Sequence, residues 1–388
     1  MVKYVDRLGS NSRKWDGLSE RFSEEDLLPL WIADMDFQSP DCVLDALNAY
    51  VDFGVFGYSK VSDDWFDSII DWESEQHGYH VKKDWICFSP GVVCGFNWLL
   101  QALTNEGDAV IIQPPVYYPF SEAVIHNNRR LIENELVKVD NLYVMDLNDF
   151  ENKVVENNVK AFIFCSPHNP CGRVWSEEEL RKMLEICKKH GVIVISDEIH
   201  QDLVMPGNKH IPAAIVGDFS DVLITISAPS KTFNVAGCQN SFVIIEDEIL
   251  RGKYKKHLEK LRVNGGNPFG YVAATAAYRG GGEWLSEVKE IIWDNFLFMR
   301  EHLLEAFDEL WIADLQGTYL MWIDLGEYVR ESEIESFVTQ ECKIAPDLGS
   351  WFGGRNSNTF IRINLATSRE NIEEAAERII GALEERIN

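Results

Sequence analysis

The stretch Val192-Ile-Val-Ile-Ser-Asp197, followed by Glu198-Ile-His200, decides the fold. Its continuous apolar run is typical of a strand that is buried on both faces of a sheet. Similar apolar runs lie before and after it, at Ala109–Ile112, Ala161–Cys165, Val222–Ile226 and Phe242–Ile245. Because these runs alternate with helical patterns between about residues 85 and 250, we predict an α/β domain with a mostly parallel sheet.

The helix before this strand is well marked at both ends. Ser176 and Glu179 have the spacing of a capping box, apolar residues follow at helical intervals, and Gly191 is suited to the end of the helix. The carboxyl ends of parallel strands meet at one edge of a sheet. We therefore expect Asp197 to lie there beside residues 166–169 and 227–231.

Lys231 follows the apolar run Val222–Ile226 and stands among small polar residues. A lysine with a lowered pKa at a buried strand end can form a Schiff base with an aldehyde cofactor. Asp197, at a second strand end, is suited to keep a pyridine nitrogen protonated, so that the ring accepts electrons. Together they indicate pyridoxal phosphate. Taken singly, such a lysine is usually a solvated loop residue, and such an aspartate is usually a cap or turn residue.

The chain of 388 residues is longer than one hydrophobic core usually supports, so we predict more than one domain. Residues 1–45 are predicted to join the small domain, residues 46–284 to form the large α/β domain, and residues 285–388 to form a smaller α+β domain. In the last of these, we expect a long helix over about 284–310 and a final helix from about Arg369, with Ser368 as its N-cap.

Composition excludes several classes of partner. The net charge is −27, from 36 Lys and Arg against 63 Asp and Glu, which disfavours nucleic acids and anionic membrane surfaces. No run approaches the ~18 apolar residues of a membrane span, and the first residues lack an apolar signal core, so a cytoplasmic location is expected. The eight cysteines form no C-x-x-C pair, and the nine histidines have no zinc-binding spacing. We predict reduced thiols and no metal.

Seven motifs, in the right order, make the chain resemble the class I/II aminotransferases of fold type I over essentially its whole length. They are Pro29–Phe37, Pro90–Val93, Pro114–Phe120, Ser166–Trp175, Ser196–His200, Ala228–Asn234 and Phe360–Asn364. Within that family the chain looks closest to the MalY/PatB-type cystathionine β-lyases, which split carbon–sulfur bonds. The resemblance implies a large domain that binds pyridoxal 5′-phosphate on a mostly parallel, seven-stranded sheet, and a smaller α+β domain.

The resemblance also implies which residues hold the cofactor ring. Lys231 matches the Schiff-base lysine, Asp197 the partner of the pyridine nitrogen, and Asn169 the hydrogen-bond donor to the phenolic oxygen. His200 stands where many relatives have a tyrosine beside that oxygen, and its titration near neutrality would make activity sensitive to pH. Tyr117 matches the aromatic residue that stacks on the ring. Each of these residues alone has an ordinary structural reading as a turn, a cap or a packed side chain.

Three further matches concern the cofactor phosphate. Ser230 matches a hydroxyl donor, and Tyr58 matches a tyrosine that comes from the neighbouring subunit, which implies a homodimer. Most class I relatives have an arginine eight residues after the lysine, whereas this chain has Gln239, a departure that the MalY-like group shares. The backbone N–H groups at a helix N-terminus that match the phosphate-binding turn belong to Gly91, Val92 and Val93.

For the substrate, Arg362 matches the arginine that binds the α-carboxylate through two parallel hydrogen bonds, and Ala33 lies in the loop beside it. Tyr118 is expected near the leaving group. Lys231, with Tyr118 or Tyr58, is expected to protonate the departing sulfur. The resemblance thus implies a carbon–sulfur β-lyase that forms a thiol, pyruvate and ammonia from cystathionine, cysteine or another cysteine conjugate. An aminotransferase for aromatic or aliphatic amino acids, and an added regulatory protein-binding role, remain open.

Overall fold

The protein is described here by a computed structural model that covers residues 1–22, 24, 26–263 and 265–387. Within these residues the strands are β1 (Leu28–Pro29), β2 (Ile86–Ser89), β3 (Ala109–Ile112), β4 (Arg130–Glu133), β5 (Val137–Val139), β6 (Leu142–Val144), β7 (Val159–Cys165), β8 (Ile193–Asp197), β9 (Leu223–Ser227), β10 (Ser241–Ile244), β11 (Trp311–Ile312), β12 (Leu320–Asp324), β13 (Ile344–Ala345), β14 (Asp347–Leu348) and β15 (Phe360–Asn364). The α-helices are α1 (Arg13–Asp16), α2 (Asp41–Phe53), α3 (Asp63–His77), α4 (Val92–Leu103), α5 (Pro119–His126), α6 (Leu147–Asn157), α7 (Glu177–His190), α8 (Pro229–Thr232), α9 (Glu248–Leu261), α10 (Pro268–Gly280), α11 (Gly282–Ala306), α12 (Ile334–Ser336) and α13 (Arg369–Ile387).

The largest sheet of the described residues has seven strands in the order β2-β10-β9-β8-β7-β3-β4. The five strands from β9 to β4 are mutually parallel, and β10 runs antiparallel to both β9 and β2. The predicted α/β fold with a mostly parallel seven-stranded sheet is confirmed. The predicted strand β3 has the observed bounds, and the other predicted strands differ by one or two residues at their ends.

Helix α7 shows how local sequence sets the position of a site strand. The Ser176 hydroxyl accepts a hydrogen bond from the Glu179 N–H, and the Glu179 carboxylate accepts one from the Ser176 N–H (2.8 Å), so the predicted capping box is present. Gly191 ends the helix with a φ of +65°, a left-handed conformation that glycine adopts without strain. The chain then turns directly into β8, which ends at Asp197.

Helix α4 lies close against the sheet because position 95 is glycine. A Cβ atom at Gly95 would be 2.1 Å from Cδ1 of Ile226 on β9 and 3.0 Å from the Ser89 hydroxyl oxygen at the end of β2. Both neighbours are fully buried and packed into the core. The missing side chain therefore lets the N-terminus of α4 lie near the carboxyl ends of the parallel strands.

A second, four-stranded antiparallel sheet has the order β11-β12-β15-β14, and helices α11 and α13 pack against each other beside it. The expected long helix is α11, and the expected final helix α13 begins at Arg369 as predicted. Strand β1 pairs in parallel with β13, with Leu28 opposite Ile344, which ties the N-terminal segment to this part of the chain. The domain boundaries at residues 45 and 284 stay a prediction.

Two properties of the whole chain complete the fold. All eight cysteines are free thiols, and five of them are buried. None of the described helices combines the length and the apolar character that crossing a membrane requires.

Candidate active site

One cavity lies at the carboxyl ends of β2, β7, β8 and β9, where parallel strands of an open sheet present their ligand-binding loops. It brings together residues that are separated by up to about two hundred positions in the chain. Ten of the predicted site residues line it: Ala33, Gly91, Val92, Val93, Tyr117, Asn169, Asp197, His200, Ser230 and Lys231.

Lys231 lies on the short helix α8, immediately after β9, and its Nζ donates a hydrogen bond to the Ala33 carbonyl oxygen (2.5 Å). Burial lowers the pKa of Lys231 to about 8, and the positive charge of Arg362 acts in the same direction. The carboxylates of Asp34 and Asp197 oppose this shift. A substantial fraction of the amine is therefore neutral near physiological pH, as a nucleophile or base requires.

Tyr319 is a site residue that the sequence analysis missed. Its hydroxyl also donates to the Ala33 carbonyl oxygen (2.7 Å), so Tyr319 and Lys231 share one acceptor. Burial raises the pKa of Tyr319, which keeps the phenol protonated as a donor. Tyr319 stands directly before β12, where an aromatic side chain is usually a core residue, so the sequence offered no signal for it.

Asp197 is the last residue of β8, and burial raises the pKa of its carboxyl group to about 7. The Ile199 N–H, which donates to Oδ1 (3.1 Å), and the charge of Lys231 oppose the shift. This carboxyl group exchanges a proton near neutral pH and is suited to share one with a ring nitrogen.

His200 is buried at the same edge of the sheet. Burial, followed by the charges of Lys231 and Arg362, lowers the pKa of His200 well below its ordinary value. The imidazole therefore stays neutral near pH 7, which does not support the expected sensitivity of activity to pH at this residue. Its Nδ1 atom has no hydrogen-bond partner within the described part of the chain.

Arg362, at the centre of β15, is buried behind the cavity lining. Its Nη1 donates to the Asn169 side-chain oxygen (2.8 Å), and its Nη2 donates to the Trp31 carbonyl oxygen (2.9 Å) and to the Asp347 carboxylate. The face of Phe352 lies 4.9 Å from the guanidinium carbon. These contacts fix the orientation of the Arg362 guanidinium group. Its Nε atom has no hydrogen-bond partner among the described residues.

The Asp347 partner of this arginine was also missed. The register of β14 and β15 sets Asp347 opposite Arg362. Burial raises the pKa of Asp347 to about 6, against the opposing charges of Arg362 and Arg21. An acidic residue in the otherwise apolar stretch 344–348 was the available signal, since such a group needs a partner when buried.

The three predicted tyrosines are not brought together in one chain. Tyr117 lines the cavity, whereas Tyr118 is partly buried outside the lining, with its ring centroid 6.1 Å from that of Phe352. Tyr58 is fully exposed between α2 and α3. A single subunit therefore does not supply Tyr58 to its own cavity.

The first turn of α4 and the start of β10 meet at the other end of the cavity. Gly91 is the N-cap and offers no side chain, so the N–H groups of the first helical turn have no partner from a cap. Gln239 is exposed, but the next residue, Asn240, is buried and lines the cavity. The Asn240 side-chain oxygen accepts from the Trp65 Nε1 (3.0 Å), whereas its Nδ2 has no partner among the described residues.

These donors fit pyridoxal phosphate. The site combines an amine of lowered pKa, a carboxyl group that titrates near neutrality and two buried ring or amide nitrogens without partners, at His200 and Asn240. A helix N-terminus with free N–H groups and the Ser230 hydroxyl complete an anion-binding end. Asn240 was not predicted from the sequence, because the motif comparison concerns position 239.

Residues 25–379 match the family model of aminotransferase class I and II, and the chain belongs to this family. The chain is 39% identical over 383 residues to cystathionine β-lyase PatB of Bacillus subtilis, with 98% of this chain and 99% of PatB covered. A putative aminotransferase from Clostridium difficile 630 has a TM-score of 0.95 and 39% identity, with 98% of each chain covered. Cystalysin from Treponema denticola has a TM-score of 0.93 and 34% identity, with 99% of this chain and 98% of cystalysin covered. Both solved structures contain pyridoxal 5′-phosphate. The predicted family is confirmed.

Proposed function

We propose that this protein is a pyridoxal-phosphate-dependent carbon–sulfur β-lyase that converts L-cystathionine, or a related cysteine thioether, and water to a thiol, pyruvate and ammonia. The observation that carries the proposal is the convergence of Lys231 and Asp197 in one buried cavity, with pKa values of about 8 and 7. The similarity to cystathionine β-lyase PatB supports the choice of reaction within the family. The eight free cysteines are compatible with a reducing cytoplasm, which we propose as its location.

We further propose how the chain holds the cofactor. Lys231 and Asp197 would bind its aldehyde carbon and ring nitrogen, and Asn169 and His200 its phenolic oxygen. Tyr117 would cover the ring. The phosphate would be bound by Ser230 and by the backbone of Gly91, Val92 and Val93. The bound cofactor supplies an electron-accepting ring, which stabilises negative charge at the substrate Cα.

The remaining chemistry is a matter of proton transfer by the protein. Once the substrate amine has replaced Lys231 at the aldehyde carbon, the freed Lys231 amine would remove the Cα proton, because its pKa of about 8 makes it a base that is partly neutral near pH 7. Arg362 would bind the substrate α-carboxylate. Ala33, whose carbonyl oxygen accepts a hydrogen bond from Lys231, lines the cavity. Lys231 or Tyr118 then gives a proton to the departing sulfur. Water finally releases ammonia and pyruvate.

We propose a homodimer in which Tyr58 of one subunit completes the site of the other. The segment 51–58 supports this, because Val51, Phe53, Val55, Phe56 and Tyr58 are all at least half exposed. A soluble chain rarely leaves so many large apolar side chains together in water. A hybrid dimer made from Tyr58→Ala and Lys231→Ala subunits would contain one intact site if Tyr58 crosses the interface. Activity from mixed subunits that are inactive alone is the expected result, and continued inactivity would contradict the assignment.

The reaction is tested by adding L-cystathionine to the purified holoenzyme without any keto acid and measuring pyruvate. We expect pyruvate over many turnovers, and none from Lys231→Ala. One turnover, with activity restored only by a keto acid, would instead show an aminotransferase. Binding of another protein without turnover would indicate the regulatory role.

A further inference from the structure

We propose that Arg21 binds a carboxylate on the leaving group of the substrate, so that the enzyme prefers cysteine thioethers whose sulfur carries an acidic chain. This inference deepens the proposed lyase function and rests on it. Cystathionine belongs to this class of thioether, because the part of the molecule that leaves with sulfur carries its own carboxylate. A simple S-alkyl cysteine lacks that group.

The position of Arg21 is set by aromatic packing. Its guanidinium carbon lies 3.7 Å from the centroid of the Trp351 ring, a cation–π contact. The neighbouring Phe22 is buried, and its ring centroid lies 6.0 Å from that of Trp351. Arg21 is therefore held against the turn Gly349–Phe352, although its own side chain is exposed.

The same turn contacts the proposed substrate groups. Phe352, next to Trp351, lies under the Arg362 guanidinium and beside the Tyr118 ring. Its carbonyl oxygen also accepts a hydrogen bond from the Val116 N–H (2.9 Å), which joins the turn to the loop that bears Tyr118. The turn thus links Arg21 to the proposed binding site of the α-carboxylate and to the tyrosine expected near sulfur.

The charge of Arg21 reaches this region. It opposes the rise that burial causes in the pKa of Tyr118 and of Asp347. In the part of the chain that the structure describes, no carboxylate lies within 4 Å of the Arg21 guanidinium, whereas Arg362 is already paired with Asp347. Arg21 therefore offers a planar fork that suits a carboxylate, in a protein whose net charge of −27 otherwise repels anions.

A matched pair of substrates isolates the carboxylate. S-(2-carboxyethyl)-L-cysteine and S-propyl-L-cysteine have leaving groups of the same length, with a carboxylate in one and a methyl group in the other. With the holoenzyme we expect kcat/KM to be about three- to fivefold higher for the acid, the upper part of the range that an exposed charge pair produces. Arg21→Met should remove this preference through a higher KM for the acid and leave the S-propyl compound unchanged.

Two controls accompany the variant. Arg13→Met removes another exposed arginine, which pairs with Glu20, and should leave kcat/KM unchanged for both thioethers. Arg21→Lys keeps the charge but not the fork and should retain only part of the preference. If Arg21→Met lowers kcat/KM equally for both thioethers, or does not lower it for the acid, the assignment of Arg21 is overturned. If neither thioether releases pyruvate, the lyase proposal fails, and dissociation constants from the absorbance change of the bound cofactor still decide whether Arg21 selects the acid.

Discussion

Replacement of Arg362 by methionine tests the energetics of the buried pair at the centre of the proposed site. Arg362 and Asp347 are both buried, and the arginine also holds the Asn169 side chain and the Trp31 carbonyl oxygen. Methionine keeps an unbranched apolar stem but removes the charge and the donors. Breaking a buried pair by removal of one partner costs about 3–5 kcal/mol, because the other charge is left uncompensated. We expect a loss of this size in the free energy of unfolding at pH 8.

Protonation of Asp347 limits this loss and makes it depend on pH. Neutralising a carboxyl group with an ordinary pKa of about 3.9 costs about 5.6 kcal/mol at pH 8 but only about 1.5 kcal/mol at pH 5. Burial has already raised the pKa of Asp347 to about 6, and loss of Arg362 raises it further. A raised folded-state pKa means that the buried carboxyl group costs stability in full above that pKa, that the cost falls as pH drops below it, and that the cost disappears only below the ordinary pKa. At pH 5 we expect Arg362→Met to cost about 2 kcal/mol or less, the value of its lost hydrogen bonds.

Urea unfolding of the holoenzyme, followed by circular dichroism at fixed protein and cofactor concentrations, measures both values. The double variant Arg362→Met with Asp347→Asn is the control, since a neutral amide needs no counter-charge. It should recover most of the stability that the single variant loses at pH 8. A loss that is the same at pH 5 and pH 8, and that the double variant does not recover, would refute the argument and assign the effect to lost packing.

Four further variants test local features of the fold. Gly349→Ala should lower the free energy of unfolding by about 3 kcal/mol, because its Cβ would lie 1.9 Å from a backbone carbonyl oxygen. Gly252→Ala is the matched control in helix α9, where the new Cβ meets open space, and it should raise the free energy of unfolding by about 1 kcal/mol. Equal effects of the two variants in thermal melts would contradict this. Ser176→Ala should cost about 1 kcal/mol in urea unfolding through loss of the capping box, and an unchanged midpoint would count against it. Burial opposes both charges of the Asp202–His77 pair, yet their contact (2.7 Å) leaves the pKa of Asp202 lowered and that of His77 raised. The stability from the aspartate is lost as pH falls through its lowered pKa, and that from the histidine is lost as pH rises from about 6.5 through its raised pKa. Melting temperatures of Asp202→Asn should therefore vary less between pH 6 and pH 9 than those of the native chain, and an identical profile would show that the pair does not titrate.

Much of the fold was predictable because its signals are local. The apolar runs of β3, β7, β8 and β9 and the cap of α7 depend on residues within one element, so periodicity and capping rules identify them. The rule that ligands bind at the carboxyl ends of parallel strands then predicted that Asp197 and Lys231 lie close together. The seven motifs supplied the family.

Local patterns and motifs were therefore sufficient to predict the main strands and helices, the family, and Lys231 and Asp197 as catalytic candidates. Which side chains contact each other, and how their pKa values shift, could be seen only in the folded chain. Lys231 contacts the Ala33 carbonyl oxygen 198 positions away, and Arg362 finds Asp347 through the register of two strands. Asn240 and Arg21 became site candidates in the same way, through burial and through contact with a distant tryptophan. This is because the burial and the charges that shift a pKa come from residues distant in the chain, whereas sequence patterns involve near neighbours.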